Sequence, residues 1–266
     1  MTKEQKIIKY VAKTLAILLI IGIFYSLFSF TIGLSNIFDR PNESSTDNRY
    51  EYSLLNSYLD IDLTMTELNI YKGDKFLVET DSKYINTKQD GNKIIIKEKK
   101  TPLRDKRKYS LNITIPEDLI LDVVNINTAS GKINIQKLST KYLDLDLGAG
   151  SIKIDYLKVT DEATISSGAG KIEISSGIIN EMDLDMGTGN TKINASLTGD
   201  NEIDCGVGKL ELNLLDNIEA YTLNIDKGIG SITLNNKDIS NGSIIGNGPN
   251  KVSIDGAVGN IIIKTN

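Results

Sequence analysis

The sequence predicts an all-β protein built as a parallel β-solenoid (β-helix) of about 20-residue coils, and three observations predict it. The first is a recurring glycine phrase: Gly148-Ala149-Gly150, Gly168-Ala169-Gly170, Gly187-Thr188-Gly189, Gly206-Val207-Gly208 and Gly228-Ile229-Gly230, with Ala129-Ser130-Gly131 as a degenerate first copy. The last glycines of these copies stand at 131, 150, 170, 189, 208 and 230, so the steps are 19, 20, 19, 19 and 22 residues. The second is alternation on both sides of each phrase, as in Leu143-Asp144-Leu145-Asp146-Leu147 and Ile172-Glu173-Ile174, which gives strands one wet and one dry face. The third appears when copies are aligned. The third residue after the phrase runs Lys153, Glu173, Lys192, Glu211, so stacked parallel coils would place opposite charges side by side.

Each repeat thus reads as strand, glycine turn, strand and return, the glycines allowing backbone that other residues avoid. The turn residues are Gly148, Gly150, Gly168, Gly170, Gly187, Gly189, Gly206, Gly208, Gly228 and Gly230. One repeat cannot bury its own apolar side, so copies must stack. An antiparallel β-meander or sandwich is the alternative. It would pair Asp146 with Lys153 and Asp185 with Lys192, and it would avoid stacking Asp146, Ser166, Asp185, Asp204 and Asp226 in one column.

Taken in order, residues 1–13 form a basic tail and residues 14–34 an apolar segment, of which 15–34 carry no charge. That length suffices to cross a bilayer as a helix. Lys3, Lys6, Lys9 and Lys13 precede it, which predicts a single-pass signal anchor with the N-terminus in the cytoplasm. The membrane is therefore one expected partner. Residues 35–49 are polar and aperiodic, with Pro41, and read as a linker. Strand patterns such as Leu59-Asp60-Ile61-Asp62-Leu63 and Leu111-Asn112-Ile113-Thr114-Ile115 begin after Tyr50, and 50–127 read as an irregular N-terminal cap. Residues 128–266 read as the repeat solenoid, closed by a cap in which Pro249 and uneven spacing interrupt the period. The run Lys97 to Lys108 reads as a charged hairpin tip.

Residue types limit the chemistry. The chain has no His and one Cys, which excludes a Ser-His-Asp triad and a histidine zinc site. The triplets fall between strands with no helix pattern after them, unlike a dinucleotide fingerprint. Asp144, Asp146, Asp183, Asp185, Glu202 and Asp204 line one wet face, but the G-G-x-G-x-D phrase of calcium repeats is missing. Cys205 falls in the column of Leu147 and Met186 and reads as a buried, inert thiol. We therefore assign no catalytic residue, cofactor or metal. Net charge is −5 and the tail holds four lysines against one glutamate, so the rest of the chain carries −8, unsuited to nucleic acid.

Leu111-Asn112-Ile113-Thr114-Ile115-Pro116, followed by Val124-Asn125-Ile126-Asn127-Thr128-Ala129-Ser130-Gly131-Lys132-Ile133, resembles the bacterial putative-adhesin family of β-strand-repeat domains. It is also similar to the head domain of putative autotransporter adhesins. The resemblance covers Tyr50 to the C-terminus. It implies a β-solenoid at the bacterial surface, often behind a membrane anchor and sometimes linked to envelope-stress systems, and it supplies no catalytic residues. Together these readings predict a membrane-anchored, non-enzymatic module for binding or assembly at the envelope, with a cell-wall polymer, glycan or envelope protein as partner. An accessory or sensor of an envelope-stress response is the second reading, and a polysaccharide-active β-helix enzyme the third. Oligomeric state is left open.

Overall fold

The computed structural model describes residues 49–52, 58–99 and 108–266. The basic tail, the apolar segment, nearly all of the linker and most of the Lys97–Lys108 run lie outside the described residues. Among the described residues, no helix is long and apolar enough to cross a membrane. They form one sheet of sixteen strands, with a single 3-10 turn at Ile218–Ala220. In chain order the strands are β1 Arg49–Tyr52, β2 Tyr58–Leu63, β3 Glu67–Gly73, β4 Phe76–Thr80, β5 Ile85–Asp90, β6 Lys93–Glu98, β7 Ser110–Pro116 and β8 Leu121–Ile174. They continue with β9 Gly177–Asn180, β10 Met182–Thr198, β11 Asp200–Leu214, β12 Tyr221–Ile229, β13 Ile232–Leu234, β14 Lys237–Asp238, β15 Ser243–Gly246 and β16 Asn250–Thr265.

Neighbouring coils run parallel and in strict register. Met186 lies beside Cys205, Gly189 beside Gly208 and Lys192 beside Glu211; on the other side, Gly189 lies beside Gly170 and Lys192 beside Glu173. The meander is therefore wrong for the repeats, and antiparallel pairs occur only towards the two ends. Register follows from burial. Leu184 and Met186 before one corner, and Ile193, Ala195 and Leu197 after it, all point into the coil, and a one-residue slip would turn every one of them into water. Burying each Ile or Leu contributes roughly 1.5–3 kcal/mol. The expected return loop is also extended: β8 covers nearly three coils without leaving the ladder, and a short third leg pairs β9 with Ser196–Thr198.

Order in the stack departs from order in the sequence. The C-terminal β16 does not close the structure; it lies between β11 and β12, parallel to both. Val207 pairs with Val258 and Gly208 with Gly259, while Ile229 pairs with Val258 from the far side. Ala257-Val258-Gly259 is thus a seventh copy of the glycine phrase. The N-terminal strands also differ from an irregular cap. β2 and β3 form a coil stacked on the first turn of β8, with Ile61 beside Ile126 and Ile70 beside Ile135. β6 and β7 form the coil beyond it. Antiparallel pairing at that end is confined to β1 with β4, β4 with β7 and β5 with β6.

Two different constraints explain the two glycines of each phrase. Gly131, Gly150, Gly170, Gly189, Gly208, Gly230 and Gly259 have φ between +127° and +147°, where L side chains are strained. A Cβ at Gly189 would also overlap the carbonyl oxygen of Gly170 beneath it, and the same overlap recurs up the column. The first glycines lack positive φ but still sit on a carbonyl: a Cβ at Gly187 would lie 2.5 Å from the Gly168 oxygen. Ala129 and Ala257 occupy this first column in two copies, so it yields where the second does not.

These constraints order three substitutions. Gly189→Ala should cost more than about 3 kcal/mol, combining left-handed strain with a backbone overlap. Gly187→Ala should cost less, since its φ is ordinary. Gly91→Ala, at φ +57° with open space around it, should cost about 1 kcal/mol. Denaturant unfolding of the three variants checks the order, and equal losses at Gly189 and Gly91 would contradict the role assigned to stacking.

Candidate binding surfaces

At the corners the backbone has a direction. Carbonyls point towards the C-terminal end of the stack: the Ser130 N–H donates to the Thr64 carbonyl at 3.0 Å, and each later corner carbonyl faces the glycine above it. The first corner therefore leaves its N–H groups facing outwards, and Glu98 fills that position. Thr64, Met65 and Thr66 N–H donate to its Oε2 at 2.7, 3.0 and 3.2 Å, an anion nest occupied by a side chain. Burial alone would raise the Glu98 pKa, but the N–H donors together hold it below the ordinary carboxylate value. At the opposite end Lys227, only 5% exposed, donates to the last corner's Ile229 carbonyl at 2.8 Å, and burial lowers its pKa. Among the described residues, an anion and a cation thus stand at the two ends of one column of corners. Sequence reading missed both, because each lies outside the glycine phrase it serves.

The acidic face is assembled as the alternation implies, with one further member that the sequence order conceals. Asp183 stands beside Glu202 and Asp185 beside Ser166 and Asp204. The inserted strand then adds Asp255 between Asp204 and Asp226. Asp144 and Asp146 lie on the same wet face in β8. Partial desolvation raises the pKa of Asp144; it also raises those of Asp146 and Asp185, with added repulsion from Asp144 and Asp183 respectively. Glu202, Asp204 and Asp255 can bring one oxygen each within 4.8 Å of one another. Three carboxylates fall short of the six to eight oxygens that calcium takes.

On the leg after the corner, Lys and Glu alternate up the stack, with Lys192 between Glu173 and Glu211. The direct ion pairs run along each strand instead: Lys171 to Glu173 at 2.5 Å, Lys209 to Glu211, and Lys153 to Asp155 at 3.3 Å. The Lys171 hydrogen bond, followed by the charges of Lys171, Lys192 and Lys153, outweighs desolvation and keeps Glu173 below its ordinary pKa. These exposed pairs contribute little stability; their effect is a regular charge pattern at the strand spacing of about 4.8 Å.

Two concavities flank the stack. One of about 700 Å³ lies at the N-terminal end, against the edge-to-face pair Tyr52 and Phe76. Another of about 230 Å³ lies beside Lys227 and Asn241. Neither brings together a nucleophile with a base. Cys205 packs between Met186 and Gly256; burial, followed by the charges of Asp204 and Asp185, pushes its thiol up to about 12, which leaves it a poor nucleophile. The ten predicted turn glycines, Gly148 through Gly230, all lie at corners, and Gly228 and Gly230 border the smaller of these two concavities.

Against known families, residues 57–263 match the Toastrack DUF4097 profile. Among solved structures, a putative cell adhesion protein from Clostridium sporogenes is 15% identical, with 83% of this chain and 99% of that chain covered and a TM-score of 0.35. A putative adhesin from Bacteroides fragilis is 15% identical, covering 83% and 98%, with a TM-score of 0.44. A putative adhesin from Parabacteroides distasonis is 13% identical, covering 83% and 96%, with a TM-score of 0.38. No curated protein matches the chain.

The acidic column generates a pH-dependent expectation. A folded-state pKa raised above its unfolded value means that the native state binds protons more tightly. Stability is then lost as pH rises from the unfolded to the folded pKa. Asp185→Asn should therefore raise Tm at pH 7 by on the order of 1–3 °C, with the difference closing near pH 3. Thermal melts at both pH values check this, and a lower Tm for the variant at pH 7 would contradict it.

Proposed function

The chain belongs to the Toastrack DUF4097 family, and from that premise we propose that it is a non-enzymatic binding or assembly module displayed outside the cytoplasm by its N-terminal apolar segment. Its partner in this reading is a repetitive envelope polymer, a glycan or cell-wall strand. One observation carries the reading: the leg after the corner is a ladder of alternating Lys and Glu in register over successive coils. A rigid row of alternating charges matches a partner that itself repeats, because many weak contacts then add along one line. The same geometry suits extended contact better than enclosure of one small molecule. The apolar run 15–34 and its preceding lysines support placement outside the cytoplasm.

Two measurements test this. Protease added to intact cells expressing the full chain should digest the repeat region, whereas protection until lysis would remove the outside placement. Isolated cell walls should retain the detergent-solubilised chain, and Lys153→Glu with Lys192→Glu, which abolishes the alternation, should lower retention at least threefold without altering Tm by more than a few degrees. Equal retention of the double variant, or release of soluble sugars by the wild type, would overturn the reading.

A further inference from the structure

We propose that β15 is a self-association edge, and that two copies of this chain pair antiparallel through Ser243–Gly246, joining their solenoids end to end. This surface is separate from the Lys–Glu face and does not depend on what that face binds.

The argument starts from the ends of the stack. Four strands form its edges among the described residues: β1 and β5 at the N-terminal end, β14 and β15 at the other. Unpaired edges template association, and natural proteins guard them with charge. Three of the four are guarded. β1 carries Arg49 and Glu51, tied to Glu79 at 3.5 Å and Lys75 at 2.8 Å. β5 carries Lys88 and Asp90, 3.6 Å apart, and β14 consists of Lys237 and Asp238. β15 has no charge, and neither does any of the 12 residues from Ile239 to Asn250. Its one described strand partner is β12. Ile244, at its centre, is 72% exposed.

Charge and symmetry choose the occupant. Since the chain beyond its basic tail carries −8, two copies repel over most of their surfaces, and this uncharged end is where they can approach. An antiparallel strand pair about a two-fold axis is self-complementary, so one edge serves both copies. A register centred on Ile244 sets it against its counterpart and Ser243 against Ile245. It thereby keeps the inward face of each strand, where Ile245 packs on the core, continuous with the other. Four residues bury far less than the roughly 1,200 Å² of a stable interface, so the dimer should be weak and concentration-dependent.

The test uses the full chain. Analytical ultracentrifugation in detergent should show the protein mass doubling as concentration rises, and Ile244→Asp should hold it at one copy by placing two carboxylates on the axis. In native membranes, Ile244→Cys on a Cys205→Ser background should form a disulfide-linked dimer on mild oxidation, while Met65→Cys, equally exposed at the far end of the corner column, should not. Monomer at every concentration would overturn the proposal. So would a dimer that survives Ile244→Asp, equal cross-linking from Met65→Cys, or a cross-link from position 244 to a different protein.

Discussion

Everything in this structure depends on one close approach: the carbonyl oxygen of each corner pressed against the α-carbon of the glycine above it. From Gly150 onwards the second glycine has no space for a side chain at that point and also holds a positive φ, while the first position tolerates alanine in two copies. That contact fixes the vertical spacing of the coils and their register, because sliding any coil by one residue would drive a Cβ into a carbonyl. Register in turn decides which side chains stand in columns. The dry columns of Ile and Leu supply the stabilising burial, and the wet columns become surfaces as a by-product. Since corner peptides all point one way, the column also needs different groups at its ends, and Glu98 and Lys227 have the required signs.

Strict register carries a cost. A parallel stack places like on like wherever the repeats share a residue, and the aspartates at 185, 204, 255 and 226 are stacked in this way. Elsewhere the sequence breaks such columns. Ser166 interrupts the aspartates, Lys and Glu alternate on the following leg, and asparagine amides donate down the stack, Asn134 to Asn69 at 2.8 Å and Asn69 to Asn112 at 3.1 Å. A ladder of amides stabilises itself, whereas a ladder of carboxylates holds together against its own repulsion.

Period, alternation and parallel stacking are legible in the sequence because each is written locally, in the spacing of Gly150, Gly170 and Gly189 and in runs such as Leu143 to Leu147. The column of Cys205 can be read the same way, although the residue is only partly buried there rather than enclosed as its column implies. Stacking order is not legible. A coil's sequence says that it needs a neighbour above and below, but any coil with the same corner fits. The 22-residue step to Gly230 hides the change of order, and Ala257-Val258-Gly259 reads as an irregular tail because its first glycine is an alanine. Ala129-Ser130-Gly131 has the same form and is recognisable only because it precedes a regular series. Glu98 and Lys227 cannot be found by pattern, since their role depends on where the stack ends.

The insertion of β16 is the feature that separates this architecture from a simple consecutive coil, and one measurement tests it directly. On a Cys205→Ser background, Val207→Cys with Val258→Cys should cross-link within one chain under mild oxidation, because the two positions are register partners on adjacent parallel strands and such neighbours lie within disulfide reach. Val207→Cys with Ile229→Cys should stay reduced, since β16 separates them. If instead the 207–229 pair closes and the 207–258 pair does not, the coils stack in sequence order and β16 is not inserted between β11 and β12.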